Sequence, residues 1–460
     1  MAVSVKRNTL TDAMVGTIRT MLTLQPSSSN YYHPSQSFHS TQLAKNKPVT
    51  FYLFDKCENP DESFVHLPYL FASALLQIRP NSHIEYPLCE IHFTGSLRGP
   101  TPEKPQQIDQ SLVCKEAMEH LSKYGTTTIG LPPASGKTVI GAYLASKISL
   151  LVCVLCHREV ILKQWKKTFS DFTTANCWIV GENDPPSIIQ VIVCLDERVH
   201  IIPKDLRDKV GYLIIDEAHA FFTTKHVEGL LSFHPKYITL ESATLERTDG
   251  MHTMAYALVG KHGIFIKQYK PFIVTKLNTL IKATRQSNKY GPGVDWTVLK
   301  QSLLYHDIRN KLIVEIILAN KAFKIMVLTN EKEHVDILYK IIKERTIGTG
   351  YTVDYMRGNK GSYLDSNVLV GTIHKMGTGF DEATACQDYK GRPTDLVIIV
   401  CSIKEPLLLE QVVGRGFRAD RPNIIHFVDD DPTIIKHWSL NQKWYLASNG
   451  IIREETVQYN

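Results

Sequence analysis

No part of this 460-residue chain approaches the ~20 consecutive apolar residues that a membrane-spanning helix needs. The longest apolar runs, such as residues 148–156, have the length of buried strands, so a membrane partner is not expected. A disulfide framework is absent too. Nine cysteines are scattered without small-domain spacing, and an odd number cannot pair completely. Cys153 and Cys156 form a CxxC followed by His157, but no second pair exists to complete a zinc site; within an apolar run they read as small core residues. Strong charge of one sign is lacking: a net +6 permits a nucleic-acid partner without arguing for one. The opening residues lack a secretory apolar segment, and Asp12 is the one acid in residues 1–45, alongside Lys6, Arg7, Arg19 and a serine-rich tract. This composition suits an organellar import segment or, as preferred here, an amphipathic helix over residues 10–24 followed by a polar loop. Either reading gives an intracellular location.

What is present is organised in three parts. In residues 1–100, strands are expected at 49–54 and 92–95 with a helix over 67–78, forming a small α+β accessory domain. Three prolines in residues 99–105 make a linker. Short apolar strands then alternate with helices, at 126–129, 150–156, 191–194, 212–215 and 237–240. After a polar, glycine-containing stretch near 286–293 the alternation resumes, with strands at 324–328, 368–370, 396–400 and 424–428. Strands apolar on both faces with helices between them form doubly wound parallel sheets. The expected fold class is α/β, two tandem parallel-sheet lobes over residues 101–270 and 271–460.

Two motifs carry chemistry. Between a strand and a helix lie Gly130, Leu131, Pro132, Pro133, Ala134, Ser135, Gly136, Lys137 and Thr138. Such a loop turns backbone N–H groups and a helix N-terminus toward an anion. Lys137 suits β/γ-phosphates, and the Thr138 hydroxyl suits Mg²⁺. The loop departs from GxxxxGK[ST], because Leu131 holds the first glycine position. Ala134 stands where glycine is usual, and is small enough to let a phosphate approach. Downstream, an apolar strand ends in Asp216, Glu217, Ala218 and His219. Carboxyl ends of parallel strands are where open α/β sheets bind ligands. There Asp216 can hold Mg²⁺ through water, and Glu217 can orient and deprotonate an attacking water.

With these motifs in order, the chain resembles superfamily 2 helicases across most of residues 104–445. Ser242, Ala243 and Thr244 match the motif that couples hydrolysis to nucleic-acid work, and His219 joins this coupling group. Arg247 and Asp249 resemble the XPB/UvsW branch, whose members carry Arg-Glu-Asp there; Thr248 replaces the acid here. His157 and Arg158 are similar to that branch's first nucleic-acid motif, with Gln164 and Trp165 read as helix packing. Residues 104–107 look like its adenine motif, implying that Gln107 binds the adenine edge, with Gln106 and Gln110 as alternatives. Residues 370–381 resemble motif V, which implies that Thr372 touches the nucleic-acid backbone and that Gly379 and Asp381 lie near the ribose. Gln411, Arg415 and Arg418 match motif VI. The two arginines at i and i+3 share a helix face and are expected to stabilise the transferring phosphoryl group.

The resemblance implies two RecA-like lobes, ATP and Mg²⁺ as cofactors, and nucleic acid as partner, with DNA favoured over RNA. The accessory segment is similar to that of large-DNA-virus relatives, including poxvirus transcript-release helicases. That kinship adds transcription machinery as an expected partner and a host cytoplasm or nucleus as location. A duplex translocase, a transcript-releasing ATPase and a motorless P-loop ATPase stay open as alternatives.

Overall fold

The computed structural model describes residues 1–24, 48–54, 63–223, 226–242, 245, 250–267, 269–288, 293–377 and 380–457. The chain divides near residue 266 into two compact units.

The first unit is built on a seven-stranded sheet, parallel throughout. Its order is Ile264–Phe265, Thr126–Gly130, Tyr237–Glu241, Tyr212–Asp216, Val152–Cys156, Val191–Leu195, Cys177–Ile179. The apolar runs demand this arrangement: every residue of the Val152–Cys156, Val191–Leu195 and Tyr212–Asp216 strands is buried, so both sheet faces must be covered. Alternation divides them. Cys153 and Leu155 join one apolar core, whereas Val152, Val154 and Cys156 join the other. Cys153 and Cys156 therefore point to opposite faces and cannot share a metal; burial pushes both thiols well above their ordinary range.

A small antiparallel sheet of Ala2–Lys6, Phe64–Pro68 and Leu53–Phe54 belongs to this unit. Val3, Val65 and Leu67 share one core with Cys153, Leu155 and Ile215. The helix expected over 10–24 is Asp12–Leu22, started by the Thr11 hydroxyl accepting from the Met14 N–H. The helix expected over 67–78 is Tyr69–Leu76, because Leu67 and Pro68 complete a strand and Gln77 turns left-handed. The strand expected at 92–95 is a single bridge between Phe93 and Thr173. Gly95 lies so close to the Phe172 ring that a Cβ there would come within 2.3 Å of it.

The second unit repeats the plan. Its order is Val353–Met356, Val368–Thr372, Ile325–Thr329, Leu396–Ile399, Asn423–Val428, Phe272–Asn278, Gly450–Thr456, again all parallel. Val353–Met356, Phe272–Asn278 and Gly450–Thr456 are not among the strands expected from the sequence, nor are Cys177–Ile179 and Ile264–Phe265 of the first sheet. Gly450–Thr456 is an edge strand, largely exposed and rich in charge, so it carries no apolar run. Among the described residues no helix is long and apolar enough to cross a membrane.

At the carboxyl ends of this second sheet Arg309 and Asp429 form a bidentate pair, Nε to Oδ1 at 2.9 Å and Nη2 to Oδ2 at 3.0 Å, with each side chain 2% exposed. Arg309 also donates to the Val400 carbonyl, and the Thr279 hydroxyl donates to Asp429. Removing one partner strands a buried charge, so Asp429→Ala is predicted to destabilise the second unit by about 3–5 kcal/mol in urea unfolding; a loss under about 1 kcal/mol would refute this. A further prediction concerns acid. Burial holds His234, His334 and His426 down at about 3. The folded chain thus keeps them neutral while the unfolded chain protonates them near the usual 6.5. Stability is therefore full above about pH 6.5 and falls progressively below it. Urea midpoints unchanged between pH 7 and pH 5 would contradict this.

Candidate nucleotide site

The strand Thr126–Gly130 delivers the chain into the glycine-containing loop, and the helix Lys137–Ile148 leaves it. Two loop residues, Ala134 (φ 62°) and Gly136 (φ 85°), take left-handed backbone angles. Such residues curl successive N–H groups inward and make an anion-binding concavity. Leu131 needs no such angle. Its side chain is buried with Ile129 and Ile140, which explains why this position dispenses with glycine. Gly136 cannot be replaced in the same way, because a Cβ there would stand 2.4 Å from the Gln110 amide nitrogen.

Gln110 is the loop's clamp. It opens the helix Gln110–Tyr124, which Asp109 caps. Its side-chain oxygen accepts from the Arg98 N–H at 2.8 Å, and its nitrogen donates to the Ser135 carbonyl at 2.9 Å. Gln107, the adenine candidate, lies in the turn before that helix, half-buried, its N–H donating to the Lys104 carbonyl. The Lys137 ammonium donates to the Leu131 carbonyl at 2.9 Å, and so lies back over the loop. The Thr138 hydroxyl lies 3.5 Å from the Gln164 amide.

Asp216 ends its strand 8% exposed. The Trp165 indole donates to Oδ2 at 2.8 Å and the Glu217 N–H to Oδ1 at 2.8 Å. Burial first, then the neighbouring Glu217, raises the affinity of Asp216 for its proton. Glu217 adopts left-handed angles (φ 52°, ψ 47°). Its carboxylate lies 3.5 Å from His219 Nδ1, and that nitrogen lies 3.1 Å from the Ser242 hydroxyl. Three residues expected to act together, Glu217, His219 and Ser242, are thus in contact. Thr244, Arg247 and Gly379 lie outside the described residues.

Two functional side chains escaped the sequence reading. Trp165 is fully buried, as a packing residue should be, but a buried indole N–H requires a partner, and here it orients Asp216. The other is Glu241, last residue of the strand Tyr237–Glu241 and register partner of Asp216. It is 0% exposed, and among the described residues neither carboxyl oxygen has a hydrogen-bond partner. Burial, reinforced by Asp216, pushes its proton affinity well above the carboxylate range. An acid closing an apolar strand beside a serine–alanine–threonine run was the legible signal.

His157 and Arg158 follow the strand Val152–Cys156. Burial, aided by Arg158 and His219, holds His157 at about 3, so its ring has hydrogen bonds rather than charge to offer a phosphate beside the Arg158 guanidinium.

In the second unit, Thr372 ends the strand Val368–Thr372 and is 6% exposed. The exposed polar neighbour is His374, with Lys375 half-buried. Motif VI departs from the expected single helix face. The helix Pro406–Val413 stops before Arg415, and Gly416–Arg418 form a 3-10 turn, because Gly414 and Gly416 favour leaving the helix. The Arg415 guanidinium donates to the Gly377 and Phe380 carbonyls. Arg418 pairs with Asp381, whose other oxygen accepts from the Thr384 N–H and hydroxyl. Asp381, expected near a ribose, here caps a turn and holds an arginine. Gln411 is buried on the same helix.

Comparison with known proteins fits this geometry. Residues 104–247 match the family described as Type III restriction enzyme, res subunit. The chain is 25% identical to helicase 161L of Invertebrate iridescent virus 6, over 80% of this chain and 85% of that one. It is 25% identical to helicase 055L of Frog virus 3, over 85% and 86%. It is 23% identical to the transcript termination protein A18 of Fowlpox virus, over 63% and 66%. Among solved structures it is similar in fold to Saccharomyces cerevisiae Dbp5 bound to RNA and ADP BeF3, with a TM-score of 0.54 at 15% identity, covering 78% of this chain and 94% of that one. Tandem parallel sheets with these motifs at their strand ends resemble those of superfamily 2 helicases, and most of the curated proteins to which the chain is similar are viral.

One prediction follows from the indole. Trp165→Phe keeps the packing and removes the hydrogen bond to Asp216, so it should lower ATP turnover about tenfold or more with little change in melting temperature. Turnover within about twofold of the unsubstituted protein would show that the bond orients nothing.

Proposed function

We propose that this chain hydrolyses ATP to move along, or remodel, nucleic acid, and that the residues described above divide the work. The carrying observation is the run of contacts at this strand end: Asp216 accepts from the Glu217 N–H, the Glu217 carboxylate lies 3.5 Å from His219 Nδ1, and the Ser242 hydroxyl lies 3.1 Å from that same nitrogen. Gln107 takes the adenine edge, while Gln110 holds the loop in shape. Backbone N–H groups of Ala134, Ser135 and Gly136 and the Lys137 ammonium bind the phosphates. Thr138 and Asp216 hold Mg²⁺; the buried, oxygen-rich donor set at this strand end suits a hard cation. When bound, the ion neutralises charge on the phosphates. Glu217 orients the attacking water and accepts its proton. Arg415 and Arg418 supply positive charge to the transferring phosphoryl group once released from their carbonyl and Asp381 partners. Loss of the γ-phosphate is felt by Glu217 and passed through His219 to Ser242.

Arg158, with Arg247 and the Thr372 region, grips the nucleic-acid backbone. Phosphate contacts carry little sequence information, so binding should weaken with salt and show weak sequence preference. DNA is the favoured substrate. A second reading, release of transcripts from a polymerase, is supported by the likeness to the fowlpox transcript termination protein.

The decisive assay compares ATP hydrolysis without polymer and with single-stranded DNA, duplex DNA, forked DNA and RNA. Stimulation by at least one polymer is expected; its absence with all four would leave a P-loop ATPase with no motor role. Lys137→Ala and Glu217→Gln are each predicted to abolish hydrolysis while nucleic-acid binding survives. Arg418→Ala should lower turnover by roughly three orders of magnitude or more in a folded protein. Normal rates in any of the three would reject that residue's role.

A further inference from the structure

Glu241 is a buried acid that the mechanism so far does not use. Its strand ends beside that of Asp216 in parallel register, so the two carboxyl groups leave adjacent strand ends on the same face of the sheet. The side chain is wholly buried and, among the described residues, neither oxygen is hydrogen-bonded. Nearby polar groups are committed elsewhere: the Tyr212 and Thr239 hydroxyls bond to each other, and the Trp165 indole serves Asp216. The carboxyl lies under the phosphate-loop helix. A Cβ at Gly141 would come within 2.7 Å of its Oε1, so the missing side chain at Gly141 is what makes room for it. Gly141 stands three and four residues beyond Thr138 and Lys137, on one helix face with them. The charges of Lys137, Asp216 and Glu217 all act on Glu241.

A leucine would fill this core position without leaving polar atoms unsatisfied. An unpartnered buried polar group calls for an ion or a water as partner. Among the described residues no group of three or more His, Cys, Asp or Glu side chains is placed to hold a metal directly, so Glu241, which closes the strand beside that of Asp216, would reach a cation only through water. We infer that Glu241 extends the divalent-cation site, holding water of the cation's shell from beneath the phosphate loop. This rests on the assignment of Thr138 and Asp216 to that cation. Glu241 acts as a positioning residue: it orients the ion's water and leaves the phosphate contacts to the loop.

The test uses the full chain and two readouts besides turnover: affinity for a fluorescent ATP analogue in EDTA and in Mg²⁺, and Mn²⁺ binding followed by electron paramagnetic resonance. Glu241→Gln keeps the shape of the protonated acid and cannot give up a proton to become a carboxylate when a cation binds. It should bind nucleotide in EDTA like the unsubstituted protein, but bind Mn²⁺ about tenfold more weakly in the nucleotide complex. Glu241→Asp, which keeps the acid on a shorter arm, should fall between the two. Asp216→Asn is the control for the underlying assignment. Unchanged Mn²⁺ affinity in Glu241→Gln, with a loss in Asp216→Asn, overturns the inference alone. Equal weakening of nucleotide binding in EDTA and Mg²⁺ overturns it too, because that marks a packing role. Unchanged Mn²⁺ affinity in Asp216→Asn overturns the cation-site assignment itself.

Discussion

The site depends on parallel strand register. Because Tyr212–Asp216 and Tyr237–Glu241 run side by side in one direction, their last residues, Asp216 and Glu241, emerge together at one edge of the first sheet. The next parallel neighbour, Thr126–Gly130, delivers the phosphate loop to that edge as well. An antiparallel neighbour would carry its carboxyl end to the opposite edge. The apolar runs enforce the arrangement, since strands buried on both faces are stable only between two layers of helices. Chemistry is thereby confined to the strand ends, where side chains leave the core.

Burial at that edge has two consequences. It makes charge costly, so each ionisable group there needs a partner or stays neutral. His157 shows the neutral outcome, and Asp216, held by an indole and a backbone N–H, shows the partnered one. Burial also makes geometry exacting. The Gln110 amide accepts from the Arg98 N–H and donates to the Ser135 carbonyl of the loop, and a Cβ at Gly136, whose backbone is left-handed, would come within 2.4 Å of the same amide nitrogen. Leu131, by contrast, departs from the usual pattern without harm, since its angle is ordinary and its side chain points into the core.

The second unit uses the same architecture differently. Its buried charges are paired, most completely at Arg309 and Asp429, and they build the scaffold. Its two motif VI arginines are held by carbonyls of residues 377 and 380 and by Asp381. These partners store the guanidinium groups in a defined place.

Periodicity was enough, without coordinates, to read the tandem α/β plan, and strand-end motifs picked out residues 130–138, Asp216, Glu217 and Ser242 as candidates, because each is a local signal along the chain. Edge strands such as Gly450–Thr456 escaped, since exposed strands need no apolar run. Only the tertiary structure decided partnership. That Trp165 serves Asp216 and that Gln110 clamps residue 135 are facts of packing between segments 25 and 51 positions apart, and so is the lack, among the described residues, of a hydrogen-bond partner for Glu241. Distance along the chain carries no record of which side chains will meet, and burial, which sets both charge state and bonding, exists only once they have met.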